Sequence, residues 1–363
     1  MEALAVKSDF YKFIFPALCI IFVLTFSGVL LIYSSTEGNL YDFDAMNMAL
    51  RQTLFVFAGF VIIEGMRRIK SEKYLKAAPY LFVISLIVLW SLLFFGVRIN
   101  GMRGWFACGI FLIQPSEIFK FVYILFICFL YMTIKNKEKA FCIGGAATLL
   151  WAGAVIMQPD YGTAMLYCAA FALISFLAGV KWYMLWLLPL AAVSSLIFFI
   201  AKKEYGFKRL YGFFSENADV FGSAWHWKQF QLTVARGGWL GKRIEGAFWS
   251  NNYLPFAYND SAYAAMHETI GWIGASLILV FFFVLLYLFY RYSAGCGEKR
   301  VLVLSGIFII LMQVLVHCSI NCALVPTTGL TMPFISYGGS SLVGTFMIIG
   351  MLFSFCNAGR IEE

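Results

Sequence analysis

Four short segments of this sequence are far more polar than the chain around them. They combine carboxylates, amides, hydroxyls and single cations with glycine and proline. The segments are 100–105 leading to 114–120, 158–163, 254–271 and 326–341. An ionisable group in an apolar, membrane-like setting is costly and is therefore a functional candidate by default. The four segments together predict a functional site.

The second part of the first segment, Gln114-Pro115-Ser116-Glu117 followed by Lys120, predicts the start of a helix. Proline fixes φ at a helix start, and a carboxylate suits the first turn. Glu117 and Lys120 lie three residues apart, so they can pair on one helix face. Two interpretations stay open. The pair belongs to a binding site, or it is a structural salt bridge that locks two helices.

Residues 202–265 carry many cations on a face where basic residues are not expected. Arginine and lysine are the usual partners of phosphate, so one interpretation is a site for a phosphorylated substrate. The other is solvation together with attraction to anionic lipid headgroups. The aromatic residues of this stretch suit a membrane interface, which predicts short helices lying on the surface. The cations are Lys202, Lys203, Lys208, Arg209, Lys228, Arg236, Lys242 and Arg243.

The elements that must position these segments are membrane-spanning helices. The chain has 363 residues, of which 62% are hydrophobic and 13% charged, whereas soluble domains carry about 25% charged residues. Uncharged runs of ~20 residues match the length a helix needs to cross a bilayer. Runs such as 277–290 do not alternate as barrel strands would. The fold class is therefore an all-α integral membrane protein. The formal charge of +8 fits basic cytoplasmic loops and does not favour nucleic acid.

About ten spans are expected, with a large extracellular loop, 202–265, between spans seven and eight. Basic residues cluster after the second, fourth and eighth spans, which places both termini in the cytoplasm and all four polar segments outside. The first apolar segment is read as a retained helix, and the whole chain, 1–363, as a single polytopic membrane domain. The expected spans are 13–33, 46–66, 77–96, 117–134, 141–157, 163–180, 182–201, 266–290, 301–324 and 339–357.

In this order and at these spacings, the polar segments resemble the SEDS family, which includes RodA, FtsW and SpoVE. Those proteins carry QPSE followed by Lys, QPD-x-GT, a long extracellular loop ending in an LPE-x-HTDF-like stretch, and PFISYGGSS. The resemblance runs from Arg51-Gln52 to the tenth span. It implies a peptidoglycan glycosyltransferase of the bacterial cytoplasmic membrane that polymerises lipid II and releases undecaprenyl pyrophosphate. It also implies a class B penicillin-binding protein as partner. Whether the role is in elongation, division or sporulation stays open.

The resemblance places the family's essential aspartate at Asp260, because the spacings from Pro255 to Asp260 and from Asp260 to Glu268 are kept. A carboxylate there can take the proton of the attacking sugar hydroxyl. The alternative is a helix N-cap ahead of the eighth span. The substrate-binding candidates that complete the site are Arg103, Gln114, Ser116, Glu117, Lys120, Arg236, Lys242, Glu268, Ser336 and Tyr337.

Several residues depart from the family pattern, some of them next to Asp260 in the sequence. Phe256 stands for the usual Glu, Tyr258-Asn259 for His-Thr, and His317 for an Asn of the ninth span. Cys318 and Cys322 lie near His317, but without a fourth ligand they do not favour a metal site. No cofactor is specified, although a divalent cation at the pyrophosphate is compatible with the reaction. Two rival functions stay open, namely a flippase or transporter for a lipid-linked sugar and a non-catalytic scaffold for cell-wall synthases.

Overall fold

The computed structural model describes residues 2–36, 44–99, 101–109, 111–185, 225–243 and 246–358, with the side chains of 2–11, 185 and 358 excluded. Helices dominate these ranges. The helices are α1 Glu2–Thr36, α2 Ala45–Arg67, α3 Ser71–Phe95, α4 Pro115–Ile118, α5 Lys120–Thr133, α6 Lys137–Met157, α7 Tyr161–Leu177, α8 Trp182–Leu185, α9 Trp225–Gly237, α10 Phe248–Asn252, α11 Ala262–Ser293, α12 Arg300–Asn321 and α13 Gly339–Ala358.

Seven of these helices are long and apolar enough to cross a membrane, and α5 and α7 are shorter apolar helices. Large apolar side chains face outwards on them, including Phe57 at 71% exposure and Leu149 at 69%. Water-soluble proteins rarely expose such continuous apolar surface, whereas lipid covers it without cost. The chain is a multi-pass, predominantly helical membrane protein, and the predicted fold class is confirmed.

Nine of the ten predicted spans coincide with described helices. The predicted fourth span begins as the single turn α4 and continues as α5, with Phe119 between them in a non-helical conformation. The predicted seventh span, 182–201, lies outside the described residues except for its first turn, α8. Of the predicted loop 202–265, residues 202–224 and 244–245 also lie outside the described ranges.

A small antiparallel sheet corrects the expectation of a purely helical chain. Its strands are β1 Val97–Ile99, β2 Met102–Cys108 and β3 Phe111–Ile113, in the order β1-β2-β3. Trp105 of β2 pairs with Val97, and Phe106 of the same strand pairs with Ile113. The sheet was missed because β1 and β3 are only three residues long, and such short runs carry too little periodicity to distinguish them from a loop. The sheet directly follows α3 and connects it to α4, which begins at Pro115.

Two contacts show which helix ends share a face. The Ser354 hydroxyl near the end of α13 donates to the Ile69 carbonyl in the basic turn after α2. Phe13 near the start of α1 stacks on Tyr292 at the end of α11, with ring centroids 3.9 Å apart. The start of α1 and the end of α13 therefore lie on the face that carries the basic connections, and the polar segments lie at the opposite face.

Candidate active site

The four polar segments meet at one end of the helical bundle. The Arg103 amide donates to the Gln158 carbonyl over 3.3 Å, which joins β2 to the end of α6. The Gln114 side-chain amide donates to the Asp160 carboxylate over 3.3 Å, and the Gln114 backbone amide donates to the Ser340 hydroxyl over 2.9 Å. Gln114 therefore connects the first segment to both the second and the fourth.

Glycine allows the second and fourth segments to touch. A Cβ on Gly162, in the first turn of α7, would lie 2.7 Å from the Thr328 carbonyl oxygen. Real Cβ atoms do not approach backbone so closely, so only glycine fits while the two segments keep this contact. The glycine of the QPDYGT segment thus has a packing role that places α7 against residues 326–330.

The third and fourth segments are joined by backbone and hydroxyl hydrogen bonds. The Tyr337 amide donates to the Tyr258 carbonyl over 2.8 Å, and the Ser336 hydroxyl donates to the Asn259 carbonyl over 2.7 Å. Gln52 of α2 holds this junction from behind, because its buried side chain donates to the Ser336 carbonyl over 3.2 Å. Ser336 and Tyr337 therefore fix the backbone directly before Asp260.

Asp260 lies half-buried beside the exposed Gly329. Its Oδ2 atom is 4.0 Å from the place where a Cβ on Gly329 would stand. The N-cap position of α11 belongs to Ser261. The Ala264 amide of the first turn, which an N-cap side chain normally bonds, donates instead to Asn321. The cap of the Ala264 amide is therefore Asn321 and not Asp260.

Glu117 and Lys120 form a buried ion pair, with Nζ 2.7 Å from Oε2 and side-chain exposures of 6% and 2%. The predicted pairing is confirmed, although the two residues lie in α4 and α5 on either side of Phe119. The burial of the pair favours the structural interpretation over direct contact with a substrate. Ser116 is also fully buried, and its carbonyl accepts a hydrogen bond from the Tyr167 hydroxyl. These residues support the site from behind.

Glu268 organises the end of the predicted loop. Its fully buried carboxylate accepts hydrogen bonds from the Trp249 and Ser250 amides, over 3.2 and 2.6 Å, and from Arg236 over 3.3 Å. The Arg236 guanidinium also lies 5.2 Å from the centre of a Trp249 ring, at cation–π distance. The Glu268 carboxylate is thus fully occupied by hydrogen bonds within the protein. Arg236, at 43% side-chain exposure, and the exposed Lys242 keep access to solvent.

Helix α11 is broken at Gly271, where φ is 68° and ψ is −177°. The groups freed by the break bond to the turn after α9: the Lys242 amide donates to the Glu268 carbonyl over 2.7 Å, and the Trp272 amide donates to the Gly238 carbonyl over 3.0 Å. Backbone groups within a membrane must be satisfied by protein. The break therefore attaches the 238–243 turn to the half of α11 that begins next to Asp260.

The Arg103 guanidinium points back to helix α3. One of its terminal nitrogens donates to the Leu93 carbonyl over 2.6 Å. The last carbonyls of a helix lack partners within the helix and attract cations. A helix end therefore competes with any substrate phosphate for this guanidinium, which weakens Arg103 as a pyrophosphate ligand.

The environment shifts two titratable groups at this end of the bundle. Burial raises the pKa of Asp160 to about 6, against opposing hydrogen bonds from Thr163. Burial also raises the pKa of Tyr258, and the nearby Asp260 charge adds to the shift. Tyr258 consequently keeps its proton at neutral pH, close to the Asp260 charge.

Within the described ranges, no group of three or more His, Cys, Asp or Glu residues is placed to hold a metal ion. The buried His317, which lies beside Cys318 in sequence, has its Nδ1 2.7 Å from the Leu330 carbonyl oxygen. His317 therefore has a structural contact in the fourth polar segment.

Comparison with known proteins identifies the family to which this chain belongs. The model of the cell-cycle protein family named for FtsW, RodA and SpoVE matches residues 16–359, which is nearly the whole chain. The chain belongs to this FtsW/RodA/SpoVE family. The resemblance predicted from the polar segments is thereby confirmed.

Its relatives include the probable peptidoglycan glycosyltransferases FtsW of Aliivibrio salmonicida and Pseudoalteromonas translucida. The first is 30% identical over 86% of this chain and 80% of its own length. The second is 29% identical over 97% of this chain and 91% of its own length.

Two solved structures share the fold. A chain of a peptidoglycan synthase complex that coordinates polymerization and crosslinking aligns with a TM-score of 0.78 and 21% identity, covering 97% of this chain and 98% of that one. The rod-shape-determining protein RodA of Thermus thermophilus aligns with a TM-score of 0.69 and 20% identity, covering 94% of this chain and 95% of that one. The architecture of this FtsW/RodA/SpoVE member is therefore that of known structures.

Sequence reasoning missed three residues that hold the site together, namely Gln158, Asp160 and Asn321. Gln158 is fully buried and donates to the Leu89 carbonyl over 2.8 Å. Asp160 accepts from the Thr163 amide over 3.1 Å and so caps α7. The QPD segment directly before an apolar run was a signal for this cap. Nothing in the sequence around Asn321 signals a contact with Asp260, which lies 61 positions earlier.

Proposed function

We propose that this protein is a peptidoglycan glycosyltransferase that polymerises lipid II at the outer face of the bacterial cytoplasmic membrane. The observation that carries the proposal is that all four polar segments meet at the bundle end where Asp260 lies. There the Tyr337 amide donates a hydrogen bond to the Tyr258 carbonyl, and the Ser336 hydroxyl donates one to the Asn259 carbonyl. The printed names of the FtsW relatives support the same reaction class.

The reaction forms one bond and breaks one. A hydroxyl oxygen of the acceptor sugar bonds to the anomeric carbon of the donor while the bond from that carbon to the pyrophosphate oxygen breaks, with inversion. Asp260 receives the hydroxyl proton, and undecaprenyl pyrophosphate leaves with the bonding electrons. A carboxylate in hydrogen-bond reach of the hydroxyl contributes ~10²–10⁴-fold to such a step.

The leaving pyrophosphate needs positive charge. Of the predicted cations, Lys242 and Arg236 are the better placed, because their side chains reach solvent while Lys120 is buried against Glu117 and Arg103 contacts the Leu93 carbonyl. A divalent cation bound mainly through substrate phosphates is compatible with this site, since Mg²⁺ commonly needs only one or two protein carboxylates.

The topology that suits this reaction has both termini in the cytoplasm. The basic turns after α2, α5 and α11 indicate that their face of the bundle is cytoplasmic. The start of α1 and the end of α13 lie on the same face. We expect a class B penicillin-binding protein as the partner, because a related chain of this fold works within a complex that couples polymerization to crosslinking.

The test is polymerisation of lipid II by the purified protein with its cognate class B partner in detergent micelles. Glycan strands on a gel would support the proposed enzyme activity, because neither a flippase nor a scaffold forms glycosidic bonds. No polymer from a folded complex would overturn the proposal. Transport of lipid-linked sugar in vesicles by the same preparation would then favour the flippase.

A further inference from the structure

Helix α11, which follows Asp260, receives its N-terminal cap from another helix. The Ser261 hydroxyl at the N-cap position donates to the Pro255 carbonyl. The Ala264 amide, third in the helix, donates to the Oδ1 atom of Asn321 over 3.0 Å. A side chain from the N-cap residue itself normally fills this role. Asn321, at the end of α12, therefore caps α11 in place of a local residue.

The other end of the Asn321 side chain holds Asp260. Its Nδ2 atom donates to the Asp260 carbonyl over 3.0 Å and to the His317 carbonyl over 2.9 Å. Asn321 has 0% exposure, and Ala264 is equally buried. One side chain thus bonds the backbone on both sides of Ser261, and its loss would leave the buried Ala264 amide without this partner.

The same helix also fixes the segment opposite Asp260. His317, one turn before Asn321, contacts the Leu330 carbonyl through Nδ1 at 2.7 Å. Leu330 adjoins Gly329, whose Cβ position lies 4.0 Å from the Asp260 carboxylate. Helix α12 therefore holds the backbone on both sides of that carboxylate.

We infer that Asn321 is a positioning residue for the glycosyl transfer, acting through the backbone of Asp260 without touching substrate. The inference rests on the proposed function. A general base works only within hydrogen-bond reach of its proton, and a displacement of about 1 Å can cost ~10²-fold in rate. Loss of Asn321 should therefore lower kcat and leave KM, which reports on binding elsewhere, nearly unchanged.

The experiment compares Asn321→Leu, which keeps the branched side-chain shape and removes all three hydrogen bonds, with Asn321→Ala, which serves if the first variant does not fold. The matched control is Ser354→Ala. Ser354 is also buried and also bonds a carbonyl of another segment, that of Ile69, but at the opposite end of the bundle. Each variant is measured with its partner protein for kcat, KM, thermal unfolding and hydrogen–deuterium exchange of peptides covering 260–266.

We expect Asn321→Leu to lower kcat by about 10- to 100-fold, with KM within about twofold and faster exchange only around Ala264. Ser354→Ala should keep the kcat of the wild type. Unchanged kcat, an equal loss in Ser354→Ala, or unchanged exchange at 260–266 would each overturn the inference. A wild type without any polymerisation would instead refute the proposed function, and the exchange data would still decide whether Asn321 caps α11.

Discussion

Two aspartates stand at helix starts on the same face of this membrane protein, and they differ in what surrounds them. Asp160 accepts from the Thr163 amide and from Gln114, and it is only 6% exposed. Asp260 is half-buried, and the first turn of its helix is capped by Asn321. The cap of α7 is thus the acidic residue itself, while the cap of α11 comes from elsewhere.

The difference teaches how a chain can keep a carboxylate for chemistry at a helix start. A helix N-terminus has unpaired amides that attract any nearby side-chain oxygen. When a neutral side chain from another helix accepts the hydrogen bond of a first-turn amide, the adjacent carboxylate is not required as the acceptor for that amide. Sequence position alone does not separate the two aspartates, because each directly precedes a helix or its N-cap.

The comparison predicts that the region around Asp160 is structural. The largest effect should follow from breaking the Glu117–Lys120 ion pair, whose charges act on Asp160. Lys120→Met leaves the Glu117 carboxylate buried without its partner. Such a change costs about 3–5 kcal/mol of stability. We expect a large fall in the unfolding temperature of the purified protein in detergent.

The control for this prediction is the double variant Glu117→Gln with Lys120→Met. Replacing both partners removes the unpaired charge, so most of the lost unfolding temperature should return. A single variant as stable as the wild type would contradict the structural role of the pair.

A smaller effect is expected at Asp160, and it depends on pH. Burial raises the pKa of Asp160 from 3.8 to about 6, so the folded state holds the proton more tightly than the unfolded state. The stability contributed by the protonated form is complete below the unfolded value and is lost as the pH rises through about 6. Asp160→Asn should therefore flatten the fall in unfolding temperature over this range.

The measurement is thermal unfolding of the wild type and Asp160→Asn between pH 4 and pH 7.5. Asparagine is as good an N-cap as aspartate, and the Gln114 amide can rotate to face it. The variant should therefore match or exceed the wild type above the Asp160 pKa of about 6. The same pH dependence in both proteins would show that the pKa of Asp160 does not lie in this pH range.

The smallest effect is expected at Asp44, which accepts from the Asn47 amide over 2.9 Å and caps α2 at an exposed position. Asp44→Asn exchanges one good N-cap for another. Both the unfolding temperature and the polymerisation rate should stay at the wild-type values. A clear loss of polymerisation would reveal a role for this helix start that the comparison does not include.

Much of the fold follows from composition and charge, because lipid permits few ways to satisfy a backbone. The nine described helices that match predicted spans illustrate this. The small sheet was not predictable, since two of its three strands, β1 and β3, are only three residues long. The break of α11 at Gly271 was not predictable either, because its partner groups lie in the turn after α9.

The candidate site divides in the same way. The four polar segments were recognisable from their residue types, and the Glu117–Lys120 pair from its spacing. The burial that separates Lys120 from Lys242 was not, because it depends on which helices pack around each side chain. Asn321 was invisible for the same reason. Its three hydrogen bonds reach residues that tertiary structure alone brings together.

The most direct test of the account is the initial rate of lipid II polymerisation, with the cognate partner present, for Asp260→Asn beside Asp160→Asn. Both variants remove one negative charge at a helix start on the same face. We expect Asp260→Asn to lose at least ~10²-fold in rate while staying folded, and Asp160→Asn to stay within about 10-fold, because its hydrogen bonds survive the exchange. A wild-type rate from Asp260→Asn would contradict the assignment of Asp260 as the base. An inactive and folded Asp160→Asn would contradict the purely structural role of Asp160.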